Sequence, residues 1–349
     1  MRHIKERGSF YKIGRRVGEA CRQDIPEVYD RGVAHLLEHT KAKNINQIHE
    51  IAARYMAVAQ RTWEPAVEFL RGLAKGSGVT MDVITLTAFT EEVSTEVGLK
   101  PADKCSTLVV KTLDGQTIII HNEDFEPHNF GKMVLLEAEF DGFPAVTCLA
   151  YPGQLWGSGL SFNARRIAIT KNGLHLPAVP GLPTQLVQSR ASLAHKLAEA
   201  EEWVMMPPIS VPAHYILGWG ETGEAISLLV SNLQASYAEV KLHHIKGPFC
   251  FTNHVPFGWF NLKEPDPALE NSLSTLPRYE KLKSLSPAEL PQTPAEAFKL
   301  FGEPPLFLKP GKPGASVTMA TAVIYVEGGQ MWVRDADPNA SKKEWYFAH

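Results

Sequence analysis

At Cys105 the chain changes character, and that switch limits the folds open to it. Ahead of it, apolar residues recur at helical spacing. Ile48, Ile51, Ala52, Tyr55 and Ala59 share one face, and Val33, Leu36 and Leu37, then Ala66, Leu70 and Leu73, continue the pattern. Gly76-Ser77-Gly78 breaks the run before a further helix predicted over 81–97. After Cys105, short runs rich in β-branched residues follow one another, with Asp114-Gly115 and Asp141-Gly142 between them as hairpin signals. Strands are predicted over 105–112, 116–121, 132–140, 145–151, 158–163, 167–170, 215–219, 225–230, 236–242 and 248–252, with a terminal hairpin over 316–326 and 330–334. A helix is predicted over 184–204 and two short ones near Arg278 and Ala295. Hairpins that do not alternate with helices read as an α+β layered protein, not a Rossmann fold or a parallel barrel. Residues 1–104 form a helical N-terminal segment in this reading, and 105–349 one globular unit.

Several function classes are disfavoured early. The net charge of −3 gives no electrostatic reason to expect nucleic acid or an anionic membrane as partner. No stretch approaches the ~18 apolar residues of a membrane span. The basic start Met1 to Arg7 is not followed by an apolar segment, so the expected compartment is the cytoplasm. The four cysteines, Cys21, Cys105, Cys148 and Cys250, are widely spaced, which speaks against a disulfide scaffold or a cysteine-rich zinc site. HExxH, P-loop and GxGxxG motifs are absent, and no cofactor or metal is expected. A homo-oligomer stays open.

The hairpin opened by Cys105 carries the strongest signal. Read as a two-residue loop, Asp114-Gly115 pairs Leu113 with Gln116, Cys105 with Asp124 and Thr107 with Asn122. Directly opposed residues share a face, about 5 Å apart, so this register sets a thiol beside a carboxylate. A buried structural cysteine would account for Cys105 alone. Four polar residues, His121-Asn122-Glu123-Asp124, ending a strand that starts Ile118-Ile119-Ile120 are better explained by a site. In the same register His121 alternates away from Cys105 and stands outside the first contacts of the thiol.

Cys105-Ser106-Thr107, then Gly115, then Asn122-Glu123-Asp124-Phe125, resembles the start of the catalytic chain in the isopenicillin N acyltransferase family. That family belongs to the N-terminal nucleophile hydrolases and is similar to the choloylglycine hydrolases. Residues 69–79 resemble the segment ahead of the nucleophile, and 163–172 the strand pair that carries a Thr-x-Asn asparagine. Thr252-Asn253-His254-Val255-Pro256 resembles the Thr-Asn-His element, and 274–279 the Ser-x-x-x-Arg element of the wider superfamily. The terminal hairpin fits too. The pieces span most of the chain in the family's order.

The resemblance implies an αββα four-layer sandwich of two antiparallel sheets. It also implies a nucleophile freed at the chain start by self-cleavage, with its own α-amine as general base. An α-amine with a pKa of about 7.7–8.0 can take a thiol proton and return it to a leaving amine. Cys105 would carry the acyl group and Asp124 would orient the α-amine. Asn253 and Asn172 would donate to the oxyanion, and Arg278 would support the site electrostatically. Asn172, before Gly173, equally fits a turn, Asn253 a cap, and Arg278 a solvated helix face. The implied activity is an amidohydrolase working through an acyl-Cys105 intermediate, and the implied partner is a small N-acyl substrate. The rivals are an acyltransferase and an unprocessed, non-catalytic member, the latter favoured by Lys104 where the family often has Gly. Arg165-Arg166 also stands at a turn where Gly is expected. A papain-like protease would place its cysteine ahead of a helix, and Cys105 heads a strand. Trp156, Trp219 and Trp259 could line an acyl pocket or fill the core.

Overall fold

Strands buried on both faces read as nearly continuous apolar runs, and their alternation shows what lies on each side. The computed structural model describes residues 1–99, 105–174, 179–206, 208–234, 237–255, 274–311 and 316–349. Lys104 and Trp259, singled out above, lie outside the described residues.

The chain opens with β1 (Arg2–Gly8), then helices α1 (Phe10–Ala20), α2 (Asp24–His39), α3 (Ile45–Thr62), α4 (Glu64–Ser77), α5 (Met81–Ala88) and α6 (Thr90–Glu96). Strands β2 (Ser106–Lys111), β3 (Thr117–Phe125), β4 (Val134–Phe140), β5 (Val146–Ala150), β6 (Leu160–Asn163) and β7 (Ile167–Gly173) follow. After α7 (Thr184–Ala191) and α8 (Leu197–Val204) come β8 (Ala213–Trp219), β9 (Glu224–Gln234), β10 (Tyr237–His244) and β11 (Phe249–Phe251). The remaining elements are α9 (Thr275–Lys283), α10 (Pro294–Phe301), β12 (Val317–Tyr325), β13 (Gln330–Asp335) and β14 (Glu344–Ala348). They build an eight-stranded sheet, β1-β4-β5-β6-β7-β8-β9-β10, and a six-stranded sheet, β11-β2-β3-β12-β13-β14.

Four layers follow from where the apolar side chains go. Leu135 and Leu149 of the larger sheet meet Val109, Ile119, Ala322 and Ile324 of the smaller one in a core between the sheets. One residue along, Val134 and Leu136 point the other way and pack under α1–α6. Ile167, Ile169 and Tyr215 lie under α7 and α8. On the far side, Leu108, Val110, Ile118 and Ile120 lie against Leu282 of α9 and Phe298 and Phe301 of α10. The molecule is an αββα sandwich, as the resemblance implied.

Several elements differ from expectation. β1 falls in a stretch read as helical; it pairs parallel to β4, and its charged residues sit on a half-exposed edge, with Lys5 and His3 on Glu137. The helix predicted over 81–97 is two helices broken at Phe89, and that over 184–204 is broken between Ala191 and Leu197. β14 was not expected; it pairs with β13. Helices α1 and α4 cross backbone to backbone. A Cβ at Gly14 or Gly18 would collide with the carbonyl of Phe69 or Leu73, and one at Gly72 or Gly76 with that of Tyr11 or Arg15. The four-residue glycine spacing in each helix was the sequence signal for this contact. Gly76→Val should cost about 3 kcal/mol or more, since the obstacle is backbone and cannot turn aside. A thermal midpoint equal to that of the unaltered protein would contradict this packing.

Candidate active site

The register of the β2–β3 hairpin decides which side chains Cys105 meets. Thr112 N donates to Gln116 O at 2.8 Å, so these two residues pair and the loop holds three, Leu113, Asp114 and Gly115. Gly115 takes φ 87°, the left-handed residue that closes a three-residue hairpin. The two-residue loop read from Asp114-Gly115 is therefore wrong by one position. Ser106 faces Asn122 and Thr107 faces His121, and the same register sets Cys105 against Glu123 instead of Asp124. A one-residue slip moves every side chain to the other face. Asn122 accordingly turns outward, where its amide donates to the carbonyls of Phe301 and Leu306. His121 and Glu123 turn inward with Thr107 and Cys105.

Cys105 sits just ahead of β2, 4% exposed. Its Sγ lies 3.4 Å from Glu123 Oε2 and 3.9 Å from the Asp124 carbonyl oxygen. Glu123 Oε1 accepts from the Tyr151 hydroxyl at 2.8 Å, and Oε2 meets His121 Nε2 at 3.2 Å. Gly159 makes room for this carboxylate, because a Cβ there would overlap Glu123 Oε2. Burial, then the charges of Glu123 and Asp124, push the Cys105 thiol well above the ordinary thiol range. Burial and the Glu123 charge push Tyr151 up as well, which keeps its hydroxyl a donor. Asp124 is fully buried and lines the same cleft as Cys105, together with Glu123, Tyr151, Lys171 and Gln185. Lys171 is paired there with Glu91 at 2.6 Å.

The other three expected residues converge on the same point from distant parts of the chain. Asn172, in the buried strand β7 and not in a turn, donates to the Cys105 carbonyl at 2.9 Å and accepts from Thr107 Oγ1 at 2.7 Å. Arg278 of α9 has no exposed surface, so it is not on a solvated face. Its Nη1 donates to the Cys105 carbonyl and to Ser106 Oγ, each at 2.8 Å, and its Nη2 to Asn253 Oδ1 at 2.8 Å. Asn253 in turn donates to the Gly173 carbonyl at 2.9 Å. Both asparagines thus give an amide proton to a main-chain carbonyl here. Trp156 is fully buried among Phe69, Phe140 and Phe10 and belongs to the core, not to the cleft. Arg166 adopts φ 56° in the β6–β7 turn, the left-handed geometry for which glycine was expected there. Its guanidinium donates to the Glu327 carbonyl at 2.9 Å.

Sequence reasoning missed Glu123, His121, Tyr151 and Gly159. The polar run 121–124 was the available signal, and the loop length misdirected it. Among the described residues, Cys105, His121 and Glu123 are the one grouping whose donor atoms lie close enough to hold a metal ion, within 4.8 Å of one another. The hydrogen bonds they exchange account for that closeness.

The sequence profile of the acyl-coenzyme A:6-aminopenicillanic acid acyl-transferase family matches residues 110–340. The chain belongs to this family. It is an enzyme of the N-terminal nucleophile type, a hydrolase or an acyltransferase, as the motifs around Cys105 implied. No curated protein matches the chain in sequence. Among solved structures it is similar to the Caenorhabditis elegans ortholog of N-acylethanolamine-hydrolyzing acid amidase, with 11% identity over 70% of this chain and 100% of that one and a TM-score of 0.46. It is similar to a variant of the conjugated bile acid hydrolase from Clostridium perfringens, with 12% identity over 70% and 92% and a TM-score of 0.44. It is also similar to penicillin V acylase from Agrobacterium tumefaciens, with 13% identity over 70% and 86% and a TM-score of 0.43. These likenesses are too distant to bear on the reaction. No helix among the described residues is long and apolar enough to cross a membrane.

Proposed function

We propose that the protein is a cysteine-nucleophile amidohydrolase that cleaves a small N-acyl amide through an acyl-Cys105 intermediate. In this reading it matures by cutting the Lys104–Cys105 bond. The observation that carries the reading is the convergence on Cys105. Asn172, 67 positions away, and Arg278, 173 positions away, both hold its main-chain carbonyl. Such a clamp fixes the direction of the residue whose thiol opens onto the cleft, and positioning of this kind is a large part of catalysis. After cleavage the Cys105 nitrogen is an amine. It would take the thiol proton during attack and return it to the departing amine, and Asp124 would hold it in its ammonium form and in place. Asn253 and Asn172 would donate to the oxyanion once the chain is cut. Arg278 would hold Cys105 and Asn253 in register.

The family's description favours a second reading, transfer of the acyl group to an amine acceptor. The same residues would serve both reactions, and access of water to the thioester would set the balance. One experiment addresses both readings. The cleaved protein is incubated with a panel of N-acyl amines and N-acyl amino acids, with and without an added amine acceptor. Intact-mass measurement is expected to show the acyl group on fragment 105–349. A new amide with the added acceptor would favour transfer. Absence of any adduct on processed, folded protein across the panel would contradict both.

A further inference from the structure

We propose that Glu123, together with His121, receives the Cys105 thiol proton while Cys105 is still joined to Lys104. This rests on the self-cleaving reading above. In the uncut chain the Cys105 nitrogen is an amide, so the base that serves the mature enzyme does not yet exist. The thiol nevertheless has to be deprotonated to attack. Glu123 Oε2, at 3.4 Å from Sγ, is a side-chain acceptor in contact with the reacting atom.

The hydrogen bonds fix where the protons are. Asn172 turns its NH2 to the Cys105 carbonyl, so its Oδ1 accepts the one hydroxyl proton of Thr107. Thr107 Oγ1, 2.8 Å from His121 Nδ1, must then accept, and Nδ1 carries a hydrogen. A single proton is left between His121 Nε2 and Glu123 Oε2. The Tyr151 hydroxyl donates to the other oxygen. When Sγ passes its proton to Oε2, the shared proton settles on Nε2. The products are a thiolate, a carboxylic acid and an imidazolium, with no change in net charge. The two protons can both be held only because His121 backs the carboxylate. The charged and titratable groups around the pair are Cys105 and Asp124 on the same hairpin, Tyr151 from the opposite sheet, Lys171, Glu91 and Glu92 across the cleft, and Arg278 on the Cys105 carbonyl.

The step balances. The thiolate sulfur bonds to the Lys104 carbonyl carbon, and the Cys105 nitrogen leaves that carbon with the proton held by Glu123. Water then adds to the thioester, releasing the Lys104 carboxyl group and restoring the thiol. The freed nitrogen is the α-amine, which takes over as base. Glu123 is catalytic in this scheme; His121 is a positioning residue that acts through it.

The test is a time course of chain cutting in the full-length protein, read by denaturing electrophoresis and mass, with thermal midpoints on the same preparations. Glu123→Gln is expected to cut roughly 10²-fold more slowly or worse. Gly159→Ala alters no titratable group and displaces the Glu123 carboxylate, so it is expected to slow cutting too; it decides the matter if Glu123→Gln does not fold. His121→Gln still donates to Glu123 but cannot take a second proton. The pH dependence of its cutting rate should change shape, which a purely structural His121 would not cause. Cutting at the unaltered rate in folded Glu123→Gln or Gly159→Ala overturns the inference and leaves self-cleavage standing. An unaltered chain that never cuts overturns the self-cleavage reading itself, and this inference with it.

Discussion

Cys105→Ala is expected to remain a single chain and to form no acyl adduct with any substrate. The thiol stands at the head of β2 with its carbonyl clamped by Asn172 and Arg278, and no other cysteine lines the cleft. Cys21 and Cys148 are buried in the helix-covered core, and Cys250 sits on β11 opposite Leu108. Losing the one nucleophile removes both steps assigned to it, chain cutting and acyl transfer. The fold should survive. An alanine leaves the carbonyl clamp untouched and removes a thiol whose burial beside two carboxylates brings no obvious stability. Cys105→Ser, which keeps a weaker nucleophile in place, should cut slowly instead of not at all. Electrophoresis of the freshly expressed Ala protein is the check. Two fragments from it would mean that an outside protease makes the cut.

Asp124→Asn should lower turnover by roughly 10²–10⁴-fold, the loss typical of a positioned acid–base group, with little change in thermal midpoint. The carboxylate would hold the α-ammonium of the mature enzyme in its charged form and in direction, and the amide cannot supply the charge. The register places Glu123, not Asp124, across from the thiol, so Asp124 reaches the site from the next position on β3. The pairing of β3 with β12 is irregular here, and the extra residue, Met319, belongs to β12. Thr318 of β12 pairs with Asp124 and Ala320 with Glu123, leaving an extra residue between them. The measurement has to be made on protein already cut, since Asp124 could also assist maturation. Turnover near that of the unaltered enzyme would remove Asp124 from the mechanism. A large fall in midpoint with unchanged activity per folded molecule would make it a structural residue.

Much of the fold was legible because its signals are local. The helical periodicity of Ile48 to Ala59 became the buried face of α3, and Asp114-Gly115 did mark a hairpin. β1 was hidden because a charged, half-exposed edge strand has no apolar alternation of its own; only pairing with β4, more than a hundred residues on, makes it a strand. The break at Phe89 was hidden for the opposite reason, since Phe89, Val93 and Val97 are buried four residues apart and carry the helical spacing straight across it.

The amino-acid sequence by itself determined the layered α+β class, the place of Cys105 at the start of a strand, and the order of motifs that marks the family. Those properties depend on residue type and short spacing. It could not determine the one-residue choice between two hairpin loops, because Asp114-Gly115 suits a two-residue loop and Gly115 equally suits the left-handed closing position of a three-residue one. The tertiary structure decides that choice by burying Ile119 between the sheets while Ile118 and Ile120 face the helices. Its consequence is that Glu123 and His121 face the thiol and Asn122 does not. The convergence of Asn172, Asn253 and Arg278 was likewise beyond local reading. Asn172 and Arg278 reach Cys105, and Asn253 reaches Arg278, only when the two sheets stack and α9 closes over the end of β2, and no short-range pattern encodes a contact made across layers.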